Sequence, residues 1–320
     1  MTRTGAPAAA ALLVALAACS DAPPPPAEPT RDGRFGSLRD LVLFERPRSG
    51  PEGALFVDRF EVTIGDWRAF AATAEGRAVG ADEVPANGAP VLPIAFVDLH
   101  QARAFARWRL LRLPRLDEWR YACVGDGRSR FPWGDQDTWT RANTGDLGLG
   151  QPMAVGTFES GRRVGGDQPY DLVGNVSEWT ETIAPDWWAD LRVPLAPSAE
   201  ARVAGELVRG GLPFAPWLLP GGLPPVVAIA AAAGRGVPRA VVGADFLTSM
   251  QTLVEFVPAG DRRSRTGVRL CATAGELIAS LGAEPGPIRA VDREQVRRFV
   301  QRGGHRPVLA AAFATWARGR

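Results

Sequence analysis

The chain contains no lysine: all 37 of its basic residues are arginine, against 35 Asp and Glu. A phosphate-cradling P-loop lysine, a Schiff-base lysine and the strand lysine of protein kinases are therefore excluded. Histidine is nearly as scarce. His100 and His305 are the only two, too few for a three-histidine metal centre. Cysteine occurs at three positions, Cys19, Cys123 and Cys271. The formal net charge of +2 lacks the basic excess of a protein that binds nucleic acid electrostatically. Apolar residues are plentiful at 46%, so the 320 residues can build a packed core and disorder is not the default.

The N-terminus reads as an address. Arg3 supplies a positive start, Ala8–Ala18 a short apolar run, and Leu16-Ala17-Ala18-Cys19 a small-residue approach to a cysteine. The run is too short to span a bilayer, which takes about 20 apolar residues. Two outcomes fit: cleavage at an ordinary signal site, or a bacterial lipobox in which residues 1–19 are the signal and Cys19 carries lipid. The lipobox reading places the protein in the cell envelope, at the outer membrane facing the periplasm or the cell surface. Residues 20–50 then serve as tether and linker, and Pro23–Pro26 stiffen this stretch into an extended spacer of about 3 Å per residue. In an oxidising compartment the remaining pair, Cys123 and Cys271, reads either as a disulfide or as two buried thiols.

Beyond the linker, Ala54–Thr63 alternates as a strand. A helix follows from Thr63 to about Ala74, with Trp67, Phe70 and Ala71 on one face. Asp98 caps a second helix through Phe105 and Trp108, and a third begins near Pro114 with Trp119, Ala122 and Cys123 on one face. From Gly125 to Gly166 turn clusters dominate. Glu181–Gly205 and Gly221–Pro238 read as Pro-, Gly- and Ala-rich insertions. A helical tail spans residues 276–320. Asp292 and Gln295 are spaced as a capping box, Phe299 and Val300 lie on a stripe, and Val308–Ala317 forms a last short helix.

Nine strings occur in order: FVDRFEVTIGDWRAF (56–70), PVLPIAFVDLHQARAFARW (90–108), RLPRLDEWRYAC (112–123), FPWGD (131–135), ANTGDLG (142–148), VGTF (155–158), YDLVGNVSEWT (170–180), VRGG (208–211) and GVRLC (267–271). Together they resemble the formylglycine-generating enzyme, or sulfatase-modifying factor, family, densely from Leu55 to Thr180 and thinly beyond. The resemblance implies a domain over residues 51–275 with an α+β, modified C-type-lectin-like fold of low regular secondary structure. Trp119, Trp133 and Trp179 are then core residues first, supplying buried area that short elements do not.

The family's oxidase uses a cysteine pair that binds copper(I), because soft thiolates suit that ion. Matching Gly210-Gly211 to the family motif puts the two cysteine positions on Ala215 and Pro220, which cannot do this. The resemblance pairs Cys123 with Cys271 as a structural disulfide. A branch that makes sulfoxides on histidine-bound iron has only His100 and His305 to draw on. Neither copper nor iron is expected. The family also carries structural calcium, held by oxygen donors. Carry-over gives Asp171 and Glu178 as side-chain ligands with the carbonyls of Gly174 and Val176. Asn143, Thr144 and Asp146 form a weaker second set. Arg59, Arg112, Asp117, Glu118 and Arg269 read as structural ion pairs or caps.

The reading these features favour is an envelope lipoprotein, tied to the membrane by its anchor. Its domain is a non-catalytic scaffold or binding module for a peptide or protein of the envelope, with Val226–Pro238 and the arginine-rich tail as added surfaces. The alternative is a periplasmic modifying enzyme, acting on a peptide or small molecule as an oxidase or in siderophore maturation.

Overall fold

A computed structural model describes residues 40–46, 53–125, 129–163, 165, 167–183, 237–251, 253–283, 299–301 and 304–318. Cys19, Ala215, Pro220, Val226–Gly236 and the Asp292–Gln295 capping box lie outside these residues. The architecture is α+β with short elements, as expected, and divides into two units.

The first unit takes its described residues from Met1–Arg59, Ala106–Arg112 and Cys271–Arg320. Its sheet begins with β1 (Leu41–Phe44) and β2 (Leu55–Asp58), which pair antiparallel with Val42 opposite Val57. The third strand of this sheet, Cys271–Thr273, lies on the other side of β2, with Ala272 opposite Phe56. Every residue of β2 is buried. β1 lies in the stretch read from sequence as linker, so that reading is corrected: a strand forms there because its apolar side chains find β2.

The second unit comprises Phe60–Phe105 and Leu113–Leu270. Strand β2 is shorter than the expected 54–63 because the chain bends at Arg59–Phe60. Val62 then pairs in the second unit, its N–H donating to the Val268 carbonyl (2.8 Å) and its carbonyl accepting from Ile94 N–H (2.8 Å). Helix α1 (Ile64–Ala71) starts at Thr63, whose hydroxyl accepts from Asp66 N–H while the Asp66 carboxylate accepts from Thr63 N–H. A short helix, α2 (Ala74–Ala78), follows on a Thr73 cap. Helix α3 (Leu99–Trp108) is capped by Asp98, which accepts from Gln101 N–H at 2.8 Å. Helix α4 (Leu116–Val124) buries Trp119, Ala122 and Cys123 together, as their spacing predicts.

After the turn-rich stretch the chain forms β3 (Ser177–Ile183), β4 (Arg239–Val242), β5 (Val254–Val257) and β6 (Thr266–Gly267). The spatial order is β5-β4-β3-β6. β3 pairs antiparallel with β4, Trp179 opposite Val241, and parallel with β6, Glu178 opposite Gly267. Of the tryptophans expected in the core, Trp119 and Trp179 are fully buried and Trp133 is buried at 9% exposure; Trp67 is fully buried as well.

The chain then re-enters the first unit through β7 (Cys271–Thr273) and runs directly into α5 (Ala274–Ala283). Thr273 and Glu276 cap this helix reciprocally. Helix α6 (His305–Arg318) is longer than the expected Val308–Ala317 and buries Leu309 and Ala312. Phe299 and His305 pack their rings on Phe56, with centroids 5.3 and 5.0 Å away. The tail is thus part of the first unit's core, and the units cut across the boundaries drawn at 50/51 and 275/276.

Candidate functional site

The centre of the second unit is polar. Glu61, Asn143, Asp171, Asn175, Glu178 and Arg269 are all buried there. The loop before β3 organises them by adopting left-handed backbone at Asp171 (φ 52°), Gly174 (φ 85°) and Asn175 (φ 62°). Asn and Asp tolerate this conformation better than most residues, and glycine adopts it freely. At Gly174 the close approach also matters. A Cβ there would stand 2.5 Å from the Asn143 carbonyl oxygen. Gly174→Ala is therefore expected to lose at least about 1–2 kcal/mol from the backbone conformation alone, measured as a shift in the urea midpoint. An unchanged midpoint would show that the loop relaxes freely.

Each side chain has a defined task. The Glu61 carboxylate accepts from Asn175 Nδ2 (2.6 Å) and from Val176 N–H (3.0 Å), clamping the loop. Asn175 Oδ1 accepts from Met153 N–H (2.8 Å), and Asp171 Oδ2 from Gly156 N–H (2.7 Å). Glu178 Oε1 accepts from Arg269 Nε at 2.7 Å, and its Oε2 from Trp119 Nε1 at 3.0 Å. Arg269 Nη2 donates to the carbonyls of Tyr170 (2.8 Å) and Asp171 (3.3 Å).

Three carboxylates thus share one guanidinium. Burial pushes the Glu178 carboxyl up to about 6, against the opposing pull of Arg269. Burial likewise raises Asp171 to about 6, opposed by the Gly156 N–H and Arg269. Glu61 is raised well above the ordinary range by burial and then by the Asp171 charge. For Arg269 burial works against the charge, but Glu178, Glu61 and Asp171 outweigh it and hold the guanidinium protonated.

The side chains expected as calcium ligands take part in hydrogen bonds within this centre. Glu178 accepts from Arg269 through one oxygen and from Trp119 through the other, and each oxygen keeps a second lone pair. Asp171 turns Oδ2 to Gly156 and its carbonyl to Arg269. The second trio is also dispersed among other tasks. Asp146 Oδ2 accepts from Met250 N–H (2.7 Å) and Ser249 Oγ (3.1 Å), and Thr144 Oγ1 is 3.5 Å from it. Asn143 donates to the Gln151 carbonyl and to Asn175 Oδ1, leaving only its Oδ1 buried with no partner. Among the described residues no group of three or more His, Cys, Asp or Glu side chains could hold a metal.

The thiols are equally committed. Cys123 and Cys271 are both fully buried, and neither is in a disulfide in this structure. Burial pushes the Cys123 thiol far up, and Cys271 Sγ lies 3.1 Å from Arg112 Nη1. His100 is exposed on α3, and His305 Nδ1 faces the Phe299 carbonyl at 3.1 Å. The charged residues read as structural behave so: Arg112 pairs with Glu276, Arg115 with Glu118, and Arg269 with Glu178. Sequence reasoning passed over Glu61 as the clamp. The one signal for it is an acidic residue inside an otherwise apolar strand pattern.

Residues 47–216 match the family model described as sulfatase-modifying factor enzyme 1-like domain. Among curated proteins the chain is 34% identical over 111 residues to a hercynine oxygenase of Mycobacterium tuberculosis, covering 33% of this chain and 24% of that protein. It is 37% identical over 108 residues to the formylglycine-generating enzyme of the same organism, covering 30% and 34%. It is 34% identical over 110 residues to the inactive C-alpha-formylglycine-generating enzyme 2 of Bos taurus, covering 32% and 36%. The chain therefore spans about a quarter to a third of these relatives' lengths. Among solved structures, PvdO from Pseudomonas aeruginosa aligns with a TM-score of 0.43 at 17% identity, over 73% of this chain and 91% of that one.

Proposed function

Since the chain belongs to the sulfatase-modifying factor enzyme 1-like family, we propose that it keeps the family's fold as a non-catalytic scaffold that binds a peptide or protein of the cell envelope. The family includes both active and inactive relatives, the formylglycine-generating enzymes and the inactive paralogue among them. One observation carries the choice between them. The chain has no cysteine between Cys123 and Cys271, and both of those thiols are fully buried. Copper(I) oxidation needs accessible, paired thiolates. With Ala215 and Pro220 at the matching positions, the chain has no such pair to offer.

The same reading anchors the protein through lipid on Cys19, supported by Leu16-Ala17-Ala18-Cys19 after an apolar run. No described helix is long and apolar enough to cross a membrane. A lipid anchor needs none.

The test uses the full chain in detergent. Incubated with copper(I), oxygen and a cysteine-containing sulfatase peptide, it is expected to form no aldehyde by mass spectrometry. Aldehyde above the protein-free control would overturn the non-catalytic reading. For binding, a photo-crosslinking residue at Trp139 or Leu247, each more than half exposed, is expected to trap a discrete adduct in intact cells. Cys19→Ser is expected to move the protein from the membrane to the soluble fraction. Retention on the membrane would remove the anchor.

A further inference from the structure

We propose that Arg239, the first residue of β4, binds a carboxylate of a ligand on the edge of its guanidinium that the fold leaves empty. Only the source of that carboxylate, an acidic side chain or C-terminus of a bound peptide, rests on the scaffold reading above. The β3–β4 pairing sets Arg239 opposite Ile183, two residues beyond Glu181 on β3. Glu181 meets two guanidinium groups of the second unit. Arg103, from α3, grips its carboxylate with the Nε–Nη2 edge: Nε lies 2.9 and 3.2 Å from the two oxygens, and Nη2 donates to Oε2. Arg239 instead donates to the Glu181 main-chain carbonyl, through Nη1 at 2.8 Å. Among the described residues that is its only hydrogen bond. Its own Nε–Nη2 edge, the one Arg103 uses on Glu181, therefore has no acceptor, and its Nε is buried with no partner.

Such an edge presents two parallel N–H donors, the spacing of the two oxygens of a carboxylate. A buried donor without an acceptor is destabilising, and a ligand oxygen on Nε removes that penalty. The edge is also held in place before any ligand arrives. Glu181 N–H donates to the Pro114 carbonyl at 2.9 Å, which fixes the backbone whose carbonyl orients Arg239. Charge selects the ligand. Arg103 and Arg239 bring two positive charges against the one negative charge of Glu181, so the cluster carries one positive charge in excess. Burial, and then the Arg103 charge, pull the Arg239 guanidinium below its usual range, with Glu181 opposing them. A singly charged carboxylate balances this excess. A doubly charged phosphate would leave negative charge unbalanced beside Glu181. Arg239 is half-buried, so a ligand reaches it from solvent while Nε stays shielded from competing water.

The experiment uses the full chain in detergent, with sodium acetate as the probe and sodium chloride and sodium phosphate of equal ionic strength as the other arms. Thermal melts are paired with phenylglyoxal labelling of arginines, read residue by residue by mass spectrometry. Acetate is expected to raise the melting temperature along a saturable curve, beyond the rise in chloride or phosphate. Labelling of Arg239 is expected to slow about tenfold near saturation, while Arg107, exposed on α3, is unaffected. Arg239→Lys keeps the charge and a donor for the Glu181 carbonyl but has no two-donor edge, so the acetate-specific rise is expected to vanish. Acetate no better than chloride, phosphate as good as acetate, an Arg239 labelling rate unchanged by acetate, or a full response in Arg239→Lys would each overturn the proposal. If that variant does not fold, labelling of the wild type still decides. The aldehyde and crosslinking assays do not involve acetate, so a failed carboxylate site and a failed scaffold reading are told apart.

Discussion

Trp119→Ala is expected to cost the protein roughly 3–5 kcal/mol, the range for removing a fully buried large aromatic side chain from a core. Trp119 sits on α4 with its indole ring against the Gly243 backbone region and its Nε1–H on Glu178. Two losses are therefore combined. The cavity term comes from the ring, because the surrounding β3–β4 sheet and α4 cannot fully collapse into the space. The polar term comes from Glu178, which loses the donor on Oε2 while its carboxyl remains buried, at about 1–3 kcal/mol. Trp119→Phe separates the two. It keeps most of the ring and deletes the N–H, so it should lose only the smaller amount. Urea unfolding followed by far-ultraviolet circular dichroism reads both. If Phe is as damaging as Ala, the hydrogen bond carries the site and the packing argument fails. If Phe is neutral, Glu178 does not depend on Trp119 for its hydrogen bonding.

Much of the scaffold around this tryptophan is legible from local sequence. The starts of α1, α3 and α4 are written in Thr63, Asp98 and the Arg115–Glu118 pair, because caps act within one turn of the chain. The helical face of Trp119, Ala122 and Cys123 follows from spacing alone. What local reasoning could not supply is the pairing of residues far apart in sequence. Glu178 and Arg269 are 91 positions apart, and Glu61 and Val176 are 115 apart. Read one at a time, Asp171 and Glu178 are acidic groups in a glycine-containing loop, a pattern that suits a hard cation. Only the β3–β6 register shows that the Arg269 guanidinium meets Glu178. Strand β1 was lost for a similar reason. Four apolar residues after a proline-rich stretch carry little signal until β2 is known to pair with them. Strand β4 likewise owes its existence to neighbours on both sides rather than to its own pattern.

The acidic centre also sets how stability responds to pH. The folded chain holds protons on Glu178 and Asp171 up to about pH 6, because burial penalises the charged forms. The unfolded chain releases them near pH 4, where ordinary carboxyls titrate. Between those values the folded state binds more protons than the unfolded state, so stability falls as pH rises. The stabilising contribution of these two groups is complete below about pH 4 and is lost as pH climbs through 6, and Glu61, raised in the same sense, adds to the decline. Each group is worth on the order of 2–3 kcal/mol across that window. Glu276 acts in the opposite sense: burial alone would raise it, but its hydrogen bond to Arg112 holds it below the usual range. Its pair is half-exposed, and pairs of that kind contribute little. The net expectation is a urea midpoint that declines from pH 5 to pH 7. Asp171→Asn tests the assignment, because it keeps an acceptor for the Gly156 N–H and tolerates the left-handed backbone while removing the titration. The variant should show a visibly flatter decline. A wild-type midpoint that rises over this range, or a slope unchanged in Asp171→Asn, would mean that the buried protons sit elsewhere and that Arg269 neutralises more of the centre than one charge balances.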